Sequence, residues 1–324
     1  MKNLIHDIVA KAWPTAYRRN ALFLHPLVRE FYQLLEEDNK SNALELFNSL
    51  EPSSQCLLVE ALSELIPDDT FFDAFFDNGN GPSMACLLRG SLLLKRAWVY
   101  RGRGCGREIS STNYDNMQTA LIKAYQSFDF ILEDPSLGQE ACARSIRVLM
   151  GLSDGTRKEI HAVHAQMRTT PRPHLLGEIN YHLACCEKWG GSHEEMFLHA
   201  RKTSRNSDTD PQMGALMAAA YWEKHMFIER FDEDEEQAAA YRSNQAMIYE
   251  VQTLSEKLLV VEPPEQDMYI VAHNVFAAFF CEVSRFDLAR PHFQLLNQRL
   301  IRYPWEFFFA EDLQYMYNRS MLSG

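Results

Sequence analysis

The feature that most constrains this chain is a recurrent proline. From residue 82 onward, prolines at 135, 171, 211, 263/264 and 304 each follow a long stretch of helical apolar spacing, at intervals of 36, 40, 52 and 41 residues. Proline has no backbone N–H to give and clashes with the preceding turn, so it marks where a helix stops. Between successive prolines lies a turn signal: Gly102 to Gly106 before the first, then Gly155, Gly190-Gly191, Asp232 to Asp234 and Ser284-Arg285. Helix, turn, helix, proline, repeated about five times, is the cadence of a helical solenoid. Strand alternation is nearly absent. The expectation is an all-α protein in which residues 82–324 form a solenoid of antiparallel helix hairpins. A segment of short helices at 1–81 precedes it, punctuated by Pro14, Pro26, Pro52 and Pro67. Within that segment Phe71-Phe72-Asp73-Ala74-Phe75-Phe76 spaces its aromatics for one buried helical face. The tract Asp77-Asn78-Gly79-Asn80-Gly81-Pro82 then breaks the chain, and the domain boundary is placed there.

The last repeat carries the most specific pattern. Phe276-Ala277 is followed by Phe280, then Phe286, Ala289 and Phe293, with Pro304 beyond. Two helices pack closely where small side chains such as Ala277 and Ala289 let the backbones approach and phenylalanines fill the seams. These offsets resemble the tetratricopeptide repeat, which implies a right-handed superhelix of stacked hairpins. His273 stands where that family commonly has Trp, and the proline falls about three residues late. Ala120, Ala124, Phe128 and Pro135 form the next best match.

A narrower block, Lys188-Trp189-Gly190-Gly191-Ser192-His193-Glu194-Glu195-Met196-Phe197 with Ala200-Arg201, resembles one found in uncharacterised bacterial tetratricopeptide-like proteins. Those proteins also tend to carry an Arg-Gly-x-Gly element like Arg101-Gly102-Arg103-Gly104. The resemblance spans roughly residues 85 to 230 and implies a bacterial origin, with no activity attached. Physically the block is a joint between helices. Gly190 or Gly191 takes the left-handed conformation that ends the first, and Ser192 caps the second with Glu195 completing a capping box.

Charge and composition exclude several functions. Lys and Arg total 32 against 44 Asp and Glu, a formal charge of −12. Phosphate binding needs a clustered basic excess, so no nucleic-acid partner is expected, while a basic or neutral partner is compatible. Met1 to Ile8 interrupts its apolar run with His6 and Asp7, which reads as an amphipathic helix and not a signal peptide. No window approaches eighteen uncharged apolar residues, so no membrane span is expected. Seven cysteines without a Cys-x-x-Cys motif suggest reduced, mostly buried thiols and a cytoplasmic protein.

Candidate chemistry is thin. Histidines 161, 164, 174, 182, 193 and 199 fall close together, with Glu194 and Glu195 among them. However, His193 to His199 lacks the i, i+4 spacing of a zinc protease helix, so solvated or core histidines are expected and no metal. Cys185 and Cys186 follow His182 by one turn on an apolar stretch, which fits structural thiols better than a nucleophile. The loop Arg101 to Arg107 is the largest positive cluster, with Lys95 and Arg96 upstream. It matches neither phosphate-binding fingerprint, and reads first as an over-long turn. Asp232 to Glu236 opens a helix, where negative charge complements the dipole. The aromatic end, Tyr303, Trp305, Phe307, Phe308, Phe309, Tyr315 and Tyr317, either packs under the preceding repeat or forms a self-association surface that would make a homo-oligomer.

The functional expectation is a non-enzymatic module that recognises a protein or peptide in a concave groove, without cofactor. Trp98, Arg101, Arg103, His182, Trp189 and Trp222 are the candidate lining residues, because Arg and Trp offer large contact area and directed donors. The alternative is a small-ligand- or metal-dependent enzyme, with its site near the histidines of 161–199 or the Arg-Gly loop of 101–107.

Overall fold

The computed structural model describes residues 26–66, 69–76, 81–102, 106–261, 268–296, 300–305, 308 and 310–323. The expected helix at Met1 to Ile8, most of the Asp77 to Gly81 break, Arg103, Gly104, Pro263, Pro264, Phe307 and Phe309 lie outside them. Among the described residues all regular structure is helical, in sixteen α-helices and a few short 3₁₀ or π turns, with no strand. No helix among them is long and apolar enough to cross a membrane. The chain divides into two compact units, residues 25–184 and residues from 185 onward. The break before Pro82 therefore falls inside the first unit.

The N-terminal unit contains α1 (Pro26–Glu36), α2 (Lys40–Ser49), α3 (Pro52–Leu65), α4 (Ser83–Arg101), α5 (Ser111–Asp129), α6 (Gly138–Gly151), α7 (Arg157–Met167) and α8 (Leu175–Ala184). Its helix starts follow local rules. Pro52 opens α3, where a missing N–H costs nothing. Ser110 caps α5 by accepting from the Asn113 N–H at 3.2 Å, and Thr156 with Glu159 forms a full capping box on α7. The expected Ala120, Ala124 and Phe128 are all buried. Helix α5 lies so close to α4 that a Cβ on Gly90 would come within 2.6 Å of the Phe128 ring. The phenylalanines of 71–76 form a 3₁₀ helix, Asp69–Phe75, with only Phe72 fully buried. Seven residues are too few for the α-helical face that their spacing suggests.

The C-terminal unit contains α9 (His193–Ser204), α10 (Ala215–Phe227), a π-helical turn (Ile228–Asp232), α11 (Glu235–Arg242), α12 (Gln245–Leu259), α13 (Met268–Glu282), α14 (Phe286–Leu296), α15 (Arg302–Trp305) and α16 (Ala310–Leu322). Its entry carries the glycine turn and the serine cap expected from sequence. Gly190 takes a positive φ of 81°, and Ser192 accepts from the Glu195 N–H at 3.1 Å. Helix α13 is buried all round from Tyr269 to Cys281, as suits a central helix, and it packs on α10 and α14. Ala277 and Ala289 are fully buried, with Phe276, Phe280 and Phe293 around them.

His273, in the position expected for Trp, joins a buried polar chain instead. Its Nδ1 lies 2.7 Å from Nδ1 of His292, whose Nε2 lies 2.8 Å from the Ser255 hydroxyl. Much of the aromatic end packs inward. Trp305 is buried and stacks on Phe293, its indole N–H donates to Asn274 Oδ1 at 2.7 Å, and Tyr303 and Phe308 flank Trp222. Tyr315 stays exposed.

Candidate functional site

Two polar centres, one in each unit, could carry chemistry. They are built in opposite ways.

In the N-terminal unit, α6 presents Glu140 and Arg144 one turn apart on a face that is wholly buried. The Arg144 guanidinium donates to Glu140 Oε1 at 2.7 Å and to Glu60 Oε1 at 2.5 Å. The second oxygen of Glu140 lies 2.6 Å from Nε2 of His174. The other ring nitrogen of His174 accepts the Gly177 N–H at 3.0 Å, so Nε2 carries the proton and donates to the carboxylate. Burial would raise the pKa of Glu140, but Arg144 and His174 outweigh it and hold the group at about 2. Cys56, Glu140 and His174 bring three ligand atoms within 4.8 Å of one another. That spacing suits a metal, yet His174 has no lone pair to give, since Nδ1 accepts the Gly177 N–H and Nε2 carries the proton. A guanidinium nitrogen also stands 4.0 Å from the thiol. Burial and nearby carboxylates push the Cys56 thiol well up, so no thiolate is on offer.

Two of the remaining histidines of this unit, His161 and His164, are similarly committed. His164 lies 3.0 Å from Glu178 and stacks on Tyr181. His161 meets the Tyr181 hydroxyl at 2.7 Å, and His182 is wholly buried.

The C-terminal unit holds a cleft lined by Tyr221, Trp222 and His225 of α10, Tyr241 and Arg242 of α11, Met247 of α12, and Phe279, Glu282 and Val283 at the end of α13. Its free interior is about 10 Å³, room for about one water, so a partner side chain could enter only by displacing a group that already lines it. His225 is only 2% exposed, yet neither ring nitrogen has a hydrogen bond. Its Nδ1 lies 3.2 Å from Glu282 Oε1, out of line for a proton to be shared. Burial, then the charge of Arg242, lowers its pKa to about 4, so the ring is neutral at pH 7. Burial raises the pKa of Glu282 against the pull of Arg242. Arg242 stands 3.7 Å from Glu282 and 3.9 Å from Glu229, beyond good hydrogen-bond range. Tyr221 hydrogen-bonds to Glu250 of α12. Directly below His225 the helix widens into the π turn Ile228–Asp232, a distortion common at functional sites.

The chain matches no family model, no curated protein and no solved structure. The site must speak for itself.

The six residues expected to line a groove fall in both units. Trp98, Arg101 and His182 belong to the first, where Arg147 lies over the Trp98 ring at 4.1 Å. Trp189 and Trp222 belong to the second. Arg103 lies outside the described residues. Of the six, Trp222 alone is in the lining of the C-terminal cleft. Sequence reasoning missed His225, Glu282, Arg242, Tyr221 and Tyr241. One signal for them was available: Glu282 closes the apolar run Met268 to Cys281, and an acidic residue there needs a reason. The π turn had no legible signal.

Proposed function

We propose that the chain is a non-catalytic, tetratricopeptide-like binding module that recognises a protein or peptide, with the cleft around His225 as an anchor for one partner side chain. The carrying observation is the unmet hydrogen-bonding capacity of a buried His225, beside aromatic rings and a loosely held Arg242. Buried polar groups are almost always paired, and a hydrogen bond left unmade costs about 1–3 kcal/mol. Tyr, Trp and Arg are the residue types most often responsible for binding energy. The solenoid part of the reading is supported by packing between alternate helices, α4 with α6, α6 with α8, and α14 with α16, as stacked hairpins require. Catalysis has less support: the thiols of Cys56, Cys142 and Cys281 are pushed up by burial, and of the histidines in 161–199, His161, His164 and His174 are engaged by hydrogen bonds.

The test is selection from a displayed peptide library on the purified chain, followed by titration of an enriched peptide against wild type and His225→Leu. A shared motif whose affinity falls tenfold or more in the variant supports the proposal. No enrichment, or equal binding to both, overturns it. Loss of binding in an Arg101→Ala, Arg103→Ala double variant instead would move the anchor to the first unit.

A further inference from the structure

The cleft's surroundings bear on what kind of side chain it would take, an inference that rests on the anchor reading above. Residues 228–242 carry six acidic side chains and two basic ones, a net −4 in fifteen residues of a chain whose total is −12. Asp232 to Glu236 are all exposed. Asp234 caps α11 by accepting from the Gln237 N–H at 2.8 Å, and Glu235 and Glu236 lie in the first helical turn, where the dipole favours them. Asp232 and Glu233 precede that turn, and Glu233 sits at a positive φ of 53°. Beside them Phe231 is half exposed and stacks on Phe227, an aromatic ledge at the edge of the acidic run.

Acidic residues opening a helix would by themselves mean little. The independent observation lies inside the cleft. His225 is buried with both nitrogens unbonded, and Glu282, partly buried with its side chain 15% exposed, has its nearest guanidinium at 3.7 Å. These groups present acceptors: a ring nitrogen and carboxylate oxygens, with Glu229 3.9 Å from Arg242 on its other side. The walls are Tyr221, Trp222, Tyr241 and Phe279, rings whose faces attract cations. An anionic side chain would meet Glu229 and Glu282. A cation supplies the donors that are lacking. One cation is already there: Arg242, whose side chain is 38% exposed and whose distances show it resting between two carboxylates without a tight bond to either. Arg144, at 2.5–2.7 Å from its two partners, shows what a committed guanidinium looks like in the same protein.

We infer that the partner is a basic stretch of peptide chain, and that one of its arginine or lysine side chains displaces Arg242 from between Glu229 and Glu282. The exposed run Asp232 to Glu236 attracts the partner and speeds encounter. Three cations, Arg201, Arg230 and Arg242, oppose it locally, and Arg242 competes for the seat itself.

The experiment is fluorescence anisotropy of labelled twelve-residue peptides, alternating glycine with arginine, glutamine or glutamate. Wild type is compared with Glu282→Gln and Arg242→Ala, with Glu37→Gln and Arg205→Ala as charge controls away from the cleft, and melting temperature is measured for each. The arginine peptide is expected to bind best. Glu282→Gln should weaken it at least tenfold, Arg242→Ala should strengthen it at least threefold, and both controls should leave it unchanged. Should Glu282→Gln fold poorly, Arg242→Ala decides: tighter binding of the arginine peptide supports the inference, and unchanged or weaker binding overturns it. If the controls shift affinity as much as the cleft variants, general charge attraction explains the binding and the inference is wrong. If the glutamine peptide binds as tightly and is lost in His225→Leu, the anchor reading stands and the basic partner falls. If none of the peptides binds, both fall.

Discussion

The two units answer the same physical problem, a buried ionisable cluster, in different ways. Around Arg144 each charge meets another at hydrogen-bond distance: Glu60 and Glu140 share the guanidinium, and His174 closes the far side with its second nitrogen on a backbone N–H. Around His225 a similar set of side chains stands slightly too far apart, with a neutral ring unbonded and a guanidinium at 3.7–3.9 Å from its carboxylates. A network completed internally specifies packing, because it gains nothing from an outside group. A network left incomplete is costly on its own and gains from a ligand. Residue type alone does not separate them, since both contain His, Arg and Glu. Distance and geometry do.

The largest effect expected is on Arg144→Ala. Removing the shared cation leaves Glu140 buried with only His174 and leaves Glu60 only Lys95 at 3.8 Å, and breaking a buried pair this way costs about 3–5 kcal/mol. Denaturant unfolding should show that loss in the transition of the N-terminal unit. A change below about 1 kcal/mol would mean that the Arg144 cluster is no more committed than the His225 cluster, and the comparison would collapse.

Acid should separate the units by pH window. His225 has a folded pKa of about 4, below the usual histidine value. The unfolded chain therefore binds the proton more readily, and stability is lost as pH falls from about 6.5 through 4. Glu140 is held at about 2, so its contribution is intact above the ordinary carboxylate range and is lost as pH falls from about 4.5 toward 2. Glu282, raised by burial, works the other way, taking up its proton in the folded state first. Hydrogen exchange followed by mass spectrometry between pH 7 and 3 should show α10 and α13 losing protection before α6. The difference between wild type and His225→Leu isolates the histidine. Loss of protection in α6 first would contradict the assignment.

How much of this was open to the sequence depended on range. Gly190, Ser192 and the alanines of the α13–α14 pair were legible because caps and close approaches are local, decided by residues within one or two turns. The inward packing of Trp305 on Phe293 was half legible, since aromatic density called for burial without saying against what. The Arg144 cluster was not legible, because Glu60 lies 84 residues away from it and no local pattern links them. His225 was missed for a related reason. Its significance is a bond it does not make, and only the positions of α11 and α13 reveal that.

Ser192→Ala supplies a yardstick inside the C-terminal unit. The hydroxyl accepts one backbone N–H at 3.1 Å, and loss of such a cap costs about 1 kcal/mol. Thermal unfolding should register that decrease with peptide binding unchanged. An unchanged melting temperature with lost binding would instead place Ser192 in the partner's path.

The smallest effect on stability, and the sharpest test of the comparison, is expected for His225→Leu. A buried histidine that held its usual hydrogen bonds would cost at least as much to remove as the Ser192 cap, because its partners would be stranded along with the lost bond. Here the ring holds none, and Glu282 keeps Arg242 after the change. Leucine fills a comparable volume among Trp222, Met247 and Phe279 and carries no polar atom that burial would penalise. Replacing an unsatisfied polar group by an apolar one of similar shape is close to neutral or favourable. At pH 7 the variant should therefore melt at or slightly above the wild-type temperature. A loss larger than that of Ser192→Ala would show that His225 is bonded within the fold, and would remove the reason for treating the cleft as a site.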